Sequence, residues 1–230
     1  MKGLQYFELV VSVILKKDIP FASSYEFISN LISRAMFDDP RFKELHQENT
    51  FKFYTFCSFY PLEKSKVYQK GRVYITNIRS LSADLILSLK RLLPYTSYPI
   101  KIVSIEMKMH EYHPISERIT LTPAIATVSD KCWTKDDGII LLRDRVHVNA
   151  LKKYRTYFGE MVEPEDNFIE YIRQTNQKPI KIPYKNTSLV GNKLVLGVKP
   201  DEVSQKLAFT ALGTGILEKN SLGMGYCYAK

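Results

Sequence analysis

The chain has 230 residues, of which 33 are Lys or Arg and 24 are Asp or Glu, giving a net charge of +9. This length suits one large domain or two domains of about 100 residues each, and the hydrophobic content of 45% supports a buried core. The excess of basic residues favours a polyanionic partner, although soluble proteins without such a partner are also often basic.

The three cysteines, Cys57, Cys132 and Cys227, are an odd number and show no C-x-x-C spacing. They indicate neither a disulfide framework nor a zinc site, and they suit a reducing cytoplasm. The N-terminus lacks the small-residue cleavage site of a secretory signal, and no apolar run approaches the ~18 residues of a membrane span. We therefore expect a soluble, cytoplasmic protein without a membrane partner.

The first half of the chain predicts strands and helices in a recognisable order. Residues 4–16 are rich in Val, Ile and Leu and predict a long strand. Residues 23–26 read as a helix N-cap with an acidic first turn, followed by apolar residues at helical spacing. The remaining predicted elements are a short helix at 40–45, strands at 51–59 and 71–78, a helix at 82–93 and a strand at 100–112. The order β-α-β-β-α-β is the ferredoxin-like pattern, whose open sheet is a common platform for RNA.

The second half is less legible, but it is compatible with a repeat of the same pattern. Its predicted strands are at 119–128, 138–142, 178–184, 192–198 and 226–229, and its predicted helices are at 145–157 and 201–212. A Tyr-His-Pro stretch ends the preceding strand near residue 114, because proline interrupts a sheet ladder. We therefore predict an α+β protein with two tandem ferredoxin-like (RRM-like) domains, at 1–115 and 116–230. Each would have an antiparallel sheet with helices on one face.

Four glycines lie within thirteen residues near the C-terminus, from Gly213 to Gly225. Such a loop can adopt positive φ angles and come close to another surface, and Lys219 at its centre suggests that this surface is anionic. The alternative is a long turn between a helix and a terminal strand, with Gly213 at the helix C-terminus. A P-loop is excluded, because its G-x-x-x-x-G-K-[ST] spacing is absent.

This loop resembles the C-terminal signature of the sixth Cas family, the CRISPR-associated endoribonucleases that cut repeat RNA into guide RNAs. The signature is Gly-hydrophobic-Gly, then five residues with at least one Lys or Arg, then Gly-hydrophobic-Gly. Gly215, Lys219, Gly223 and Gly225 fall in place. The departure is Leu217, which stands where the family pattern has glycine.

His46 is the best catalytic candidate, because a histidine at a helix end followed by polar residues is expected to be exposed and to titrate near neutral pH. The alternative is a surface histidine favoured by the helix dipole. Leu45-His46 and the following strand from Phe51-Lys52 also resemble the N-terminal region of the same family. The resemblance implies that His46 is the catalytic histidine and that Lys52 is its accompanying lysine.

Some members of this family add a tyrosine from the first helix. Tyr25 is the nearest tyrosine on that predicted helix, and Tyr54, on the same strand face as Lys52, is an equal alternative. Metal-free RNA cleavage needs a base for the 2′-hydroxyl, an acid for the departing 5′-oxygen and a cation for the phosphorane charge. His46 and Lys52 can supply this chemistry.

Neither a metal site nor a cofactor is expected. His110 and His113 have the spacing H-x-x-H, but on a strand this spacing places the two side chains on opposite faces. No cofactor motif is found in the sequence, which disfavours a small-molecule enzyme of the same fold class.

The candidate RNA-binding residues lie in the glycine-rich loop or in a basic cluster of the predicted helix at 145–157. They are Gly215, Lys219, Asn220, Ser221, Gly223, Gly225, Lys152, Lys153 and Arg155. The alternative for the basic cluster is a solvated face.

The resemblance to the sixth Cas family implies a metal-independent endoribonuclease that cleaves CRISPR repeat RNA to 2′,3′-cyclic phosphate and 5′-hydroxyl ends, generating guide RNAs for antiviral defence. The alternative is a non-catalytic subunit that binds repeat RNA in a CRISPR interference complex. Repeat RNA is the expected partner, with other Cas proteins as further partners. Monomer and homodimer both remain open.

Overall fold

The computed structural model describes residues 3–48 and 50–230, and the side chains of His46 and Gln47 lie outside the described part. The chain forms two four-stranded sheets, one from each half of the sequence. Within the described residues, no helix combines the length and the apolar character needed to cross a membrane.

The first sheet has the strand order β2-β3-β1-β4, and all of its pairings are antiparallel. Its elements along the chain are β1 (Gln5–Leu15), α1 (Ser24–Phe37), α2 (Pro40–Gln47), β2 (Tyr54–Phe56), β3 (Val73–Ser80), α3 (Ala83–Leu92) and β4 (Ile100–Glu111). A short pair, Ile19–Pro20 with Val67–Tyr68, and the 3-10 turns Phe21–Ser23 and Leu93–Tyr95 join these elements.

The second sheet repeats this topology with the order β6-β9-β5-β10, again antiparallel. Its elements are β5 (Glu117–Thr120), α4 (Ile139–Phe158), β6 (Ile169–Gln174), β9 (Leu194–Val198), α5 (Glu202–Thr214) and β10 (Cys227–Ala229), with the hairpin β7 (Ile180–Tyr184) and β8 (Thr187–Gly191) inserted between β6 and β9. A short pair, Thr127–Val128 with Lys131–Cys132, and the 3-10 turns Lys135–Asp137 and Asn220–Leu222 complete the elements. Both halves have the β-α-β-β-α-β order, so the predicted fold class is confirmed.

The alternation of hydrophobic residues along β1 explains how the helices pack on the first sheet. Leu9, Val11 and Val13 of β1 are fully buried and pack in one cluster with Ile28 and Leu31 of α1. Burial of each such side chain contributes about 1.5–3 kcal/mol relative to exposure. The helices therefore cover one face of the sheet.

Capping side chains fix the beginnings of the shorter helices. Asp39 caps α2 by accepting a hydrogen bond from the backbone N–H of Arg41 at 3.2 Å, and Pro40 occupies the first turn. Ser82 caps α3 in the same way. Ser23, the predicted cap of α1, makes no such side-chain hydrogen bond.

The prediction of a strand at 138–142 is wrong, because α4 begins at Ile139. Leu142, Val146 and Ala150 follow at four-residue spacing on the buried face of this helix, and a short apolar run does not distinguish a strand from a helix start. The predicted strand at 119–128 is interrupted after Thr120, and β6 is absent from the sequence-based prediction.

The two halves share a buried polar contact. Glu8 of β1 accepts hydrogen bonds from Arg79 Nε at 2.6 Å and from the Tyr226 hydroxyl at 2.9 Å. Arg79 also donates to the carbonyl of Cys227 at 2.8 Å. These interactions hold the last strand of the second sheet against the first sheet.

Candidate functional site

The glycine-rich loop, residues 215–225, connects α5 with β10 and has a defined internal structure. The Ile216 N–H donates to the Gly225 carbonyl at 2.8 Å, and the Glu218 N–H donates to the Ile125 carbonyl at 3.1 Å. The Asn220 side-chain amide donates to the carbonyls of Ile216 and Met224 at 3.1 and 2.9 Å. Asn220 therefore closes the loop on itself.

The glycines of this loop are required by contacts with the protein. A Cβ atom on Gly223 would lie 2.6 Å from the Phe56 ring and 3.0 Å from the Tyr25 ring, and one on Gly225 would lie 2.0 Å from the Ile216 carbonyl oxygen. Gly223 and Gly225 have φ angles of +83° and +70°, which favour glycine. Gly215, Gly223 and Gly225 are buried. The loop therefore approaches the first half of the chain at Gly223 and packs on itself at Gly225, and the direct contact of these glycines with RNA stays a prediction.

Leu217, which stands where the family pattern has glycine, adopts a left-handed conformation that favours glycine. Its φ angle is +59°, which costs a non-glycine residue roughly 1–2 kcal/mol. Its side chain is only 2% exposed and packs in the core of the second domain, a burial that contributes about 1.5–3 kcal/mol. The apolar contacts offset the backbone strain, so the loop keeps its shape without the second glycine.

This balance predicts an unusual order of stabilities. Leu217→Ala keeps the left-handed strain and loses the buried side chain, whereas Leu217→Gly loses the side chain and relieves the strain. We expect both variants to be less stable than the wild type, with the alanine variant about 1 kcal/mol less stable than the glycine variant. Urea unfolding measures the difference. An alanine variant more stable than the glycine variant would contradict the left-handed conformation of residue 217.

Lys153 anchors the loop from α4. Its ammonium donates to the carbonyls of Gly215 and Leu217 at 2.9 and 2.8 Å and to Asn220 Oδ1 at 2.6 Å. The residue is 2% exposed, and burial, together with the nearby Arg118 charge, lowers the pKa of Lys153 to about 7. Three acceptors need three N–H donors, which only the protonated amine has. The expectation that Lys153 contacts an RNA phosphate is corrected, because its donors are engaged within the protein.

Lys52 joins the end of α2 to β2. Its ammonium donates to the carbonyls of Leu45 and Glu48, the latter at 2.6 Å. Partial burial lowers the pKa of Lys52, with the Glu48 carboxylate opposing this effect. The backbone of His46 lies between these two carbonyls, in the last turn of α2. The side chain of His46 falls outside the described residues, so its predicted role stays a prediction.

The two candidate tyrosines have different surroundings. Tyr25 is 3% exposed and belongs to the core of the first domain, and burial raises its pKa. Tyr54 is also buried, with a raised pKa, but its hydroxyl donates to the Ser221 carbonyl at 3.5 Å. Tyr54 lines the clefts described below, whereas Tyr25 lines neither of them. Of the two, Tyr54 is therefore the better candidate.

One cleft, of about 540 Å³, brings the two sequence motifs together. This loop cleft is lined by residues that include Lys52, Tyr54, Asn149, Lys219, Asn220 and Ser221. Lys219 is exposed at its rim. The carboxylate of Glu218 is held by Arg145 at 3.1 Å, which offsets its charge. Glu48 is the other carboxylate in the lining. With Glu218 paired to Arg145, the cations Lys52 and Lys219 leave the loop cleft able to accept an anionic chain.

The other two basic residues of the predicted cluster on α4, Lys152 and Arg155, lie outside this cleft. Lys152 is exposed on the helix surface. Arg155 donates to the Val162 carbonyl at 3.2 and 2.6 Å and so holds the segment after α4. Asn149 and Thr156, which do line the loop cleft, are not among the predicted residues. They are polar residues at helical spacing on either side of Lys153, and this is the only signal that the sequence offers for them.

His110 and His113, the two histidines of the H-x-x-H spacing, have separate contacts and do not form a metal site. His110 Nε2 lies 3.1 Å from Glu8 Oε2, and its ring stacks on Tyr6 at 4.6 Å. His113 contacts the Glu111 carbonyl at 3.4 Å. Among the side chains that the structure describes, no three His, Cys, Asp or Glu residues converge in an arrangement able to hold a metal ion.

The whole chain is similar in fold to solved structures of Cas6 proteins. A structure described as a RAMP protein binding different RNA substrates has 18% identity, a TM-score of 0.74 and coverage of 97% of this chain and 99% of its own. A Cas6-related protein from Pyrococcus furiosus has 18% identity, a TM-score of 0.73 and 98% coverage of both chains. Cas6 of Thermus thermophilus has 13% identity, a TM-score of 0.62 and 98% coverage of both chains.

No family model matches the sequence, and the search of curated proteins gives no match. These three structural matches are 13–18% identical to this chain, and at such identities the comparison shows a shared fold. The sequence resemblance to the sixth Cas family, noted at the two ends of the chain, therefore extends to the fold of nearly all of it.

Proposed function

We propose that this protein is a metal-independent endoribonuclease that cleaves CRISPR repeat RNA, leaving 2′,3′-cyclic phosphate and 5′-hydroxyl ends. The cleaved units would serve as guide RNAs in antiviral defence, together with other Cas proteins. The observation that carries this proposal is the loop cleft, where Lys52, whose ammonium contacts the end of the helix that bears His46, lies in the same cleft as Lys219. The fold shared with Cas6 proteins supports it, since one of those structures is described as a substrate mimic complex and another as a product complex.

Each residue has a defined chemical task in this proposal. His46 acts as the base for the 2′-hydroxyl or as the acid for the departing 5′-oxygen, and such a role contributes roughly 100- to 10,000-fold. Lys52 places a positive charge next to the phosphorane, an interaction that strengthens in the transition state. Lys219 and Lys152 contact phosphates. Tyr54 is the candidate for a further hydroxyl donor.

The test is cleavage of a labelled CRISPR repeat RNA in excess EDTA. We expect a single cut with a 2′,3′-cyclic phosphate at the new 3′ end, at the same rate in EDTA and in Mg²⁺, because His46 and Lys52 supply the acid-base and electrostatic functions. Resistance of the new 3′ end to periodate oxidation shows that it carries a phosphate, and resistance of that phosphate to phosphatase until acid opens the ring identifies it as cyclic. Loss of cleavage in EDTA would contradict the mechanism, and failure to bind any repeat RNA would contradict the function.

A second candidate is a non-catalytic subunit that binds repeat RNA. One observation favours it: two of the three N–H donors of Lys52 already contact the carbonyls of Leu45 and Glu48, which leaves one for a phosphate. Tight binding of repeat RNA without any cut would support this candidate over the nuclease.

A further inference from the structure

A second cleft, of about 460 Å³, lies between α1 and the turn of the β7–β8 hairpin. We name it the α1 cleft. It shares three lining residues, Lys52, Tyr54 and Ser221, with the loop cleft. The two clefts therefore adjoin at the lysine proposed to face the reacting phosphate.

The α1 cleft is lined by positive charges, which favour binding of an anion. Arg34, Lys52 and Lys185 line it, and no Asp or Glu does so among the residues that the structure describes. By contrast, a third cleft between the segment after α4 and the start of α5 is lined mostly by carboxylates, including those of Glu163 and Asp201. Three cations without a lining carboxylate form a site for phosphate.

Aromatic rings accompany two of these cations. The Arg34 guanidinium lies 5.3 Å from the Tyr98 ring, and Lys185 Nζ lies 5.7 Å from the Tyr184 ring. Both tyrosines are half-buried in the cleft lining. A ring beside a phosphate-binding cation is the combination that binds unpaired nucleotides, because the base stacks on the ring while the cation holds the backbone.

The hairpin that supplies Tyr184 and Lys185 is held in place over α1. Ile182 of β7 is 4% exposed and packs in the core of the first domain. The backbone N–H of Lys185, in a left-handed conformation with φ +51°, donates to Glu26 Oε2 of α1 at 3.3 Å. The cleft is therefore formed before any ligand arrives, which lowers the entropic cost of binding.

We propose that the α1 cleft binds one unpaired nucleotide next to the scissile phosphodiester, with a phosphate on Arg34 and Lys185 and its base against Tyr184. This inference rests on the proposed function. Attack by a 2′-oxygen requires that oxygen, the phosphorus and the departing 5′-oxygen to lie in line. Two clefts that adjoin at Lys52 accept the two flanking nucleotides separately, so their bases no longer stack on each other and the backbone can reach this geometry.

The test is a pair of matched substitutions with repeat RNA. We expect Tyr184→Ala to weaken binding about 10-fold, and Arg34→Gln to weaken binding and to lower the slope of log affinity against log salt by about 0.7. The controls are Tyr95→Ala and Lys90→Gln, which change exposed residues that line neither cleft. We expect both controls to bind as the wild type does.

An abasic RNA identifies the nucleotide. Two repeat RNAs are made, each lacking the base on one side of the cut, and the affinity of each is measured for the wild type and for Tyr184→Ala. We expect one of the two abasic sites to weaken binding to the wild type but not to the variant, as required for a direct partner in a double-mutant cycle. Wild-type affinity in Tyr184→Ala would overturn the nucleotide site and leave the nuclease intact, whereas a wild-type protein that binds no repeat RNA would overturn both.

Discussion

Replacing His46 by alanine is expected to reduce the rate of repeat-RNA cleavage by about 100- to 10,000-fold, the usual contribution of a general acid or base. RNA affinity should be unchanged, because the cations that we propose as RNA contacts remain. The measurement is single-turnover cleavage with protein in excess over labelled RNA, so that the rate reports chemistry and not product release. Binding is measured separately on an RNA with a 2′-deoxy nucleotide at the cut.

The matched control is His113→Ala. His113 is exposed after β4 and lines neither cleft, so its loss should leave the rate unchanged. A His46→Ala protein that cleaves at the wild-type rate would remove His46 from the mechanism. An equal loss in both variants would indicate a general effect on folding.

The sequence predicts the elements of the first half well, because each has a strong local signal. β1 and β4 are long and rich in β-branched residues, and both are found within one residue of the predicted bounds. α3 has Ser82 as its cap and a clear apolar face. Such elements are encoded by nearby residues alone, so no knowledge of the packing is needed to find them.

The candidate site is harder to predict, because its residues are defined by burial. Lys152 and Lys153 are neighbours of the same type, but the helix turns one towards solvent and the other into the protein. A charge cluster in the sequence cannot separate them. Leu217 similarly departs from the family pattern in the sequence, and only its φ angle shows that the backbone keeps the glycine conformation.

The α1 cleft illustrates a second limit. Arg34 and Tyr184 are 150 residues apart in the sequence, and they line one cleft because the β7–β8 hairpin packs on the first domain. Contacts of such sequence separation leave no local pattern. The glycines of the loop correctly predicted that its backbone lies close to another surface, but the sequence could not show that this surface belongs to the protein itself.

Replacing Lys153 by methionine is expected to reduce cleavage about 100-fold, the cost of displacing a positioned group by about 1 Å. Methionine fills a similar volume but leaves the carbonyls of Gly215 and Leu217 and the Asn220 oxygen without their donor. The loop, and Lys219 with it, should shift. Lys153 would then be a positioning residue that acts through the loop.

Lys152→Met is the matched control, because it removes the same charge from the exposed side of the same helix. If Lys152 contacts a phosphate, its loss lowers the slope of log affinity against log salt by about 0.7 and affects cleavage little. Lys153→Met should lower cleavage strongly, and its effect on this slope should not exceed the single phosphate contact of Lys219, which shifts with the loop. If the two variants had the same salt slope of RNA affinity and the same loss of cleavage rate, a positioning role for Lys153 would be contradicted.

The pH dependence of stability gives an independent test of the buried amine. The pKa of Lys153 is about 7 in the folded protein, against an ordinary value of 10.5, so between these values the unfolded chain binds more protons than the folded one. The free energy of unfolding of the wild type should therefore rise with pH across this window relative to Lys153→Met, and the gain should disappear as pH falls to about 7. Deprotonation also removes one of three N–H donors, so the hold on the loop weakens while global stability rises. Urea unfolding of both proteins at pH 6.5 and 9 measures the difference, and parallel behaviour of the two would show that the amine is not buried as described.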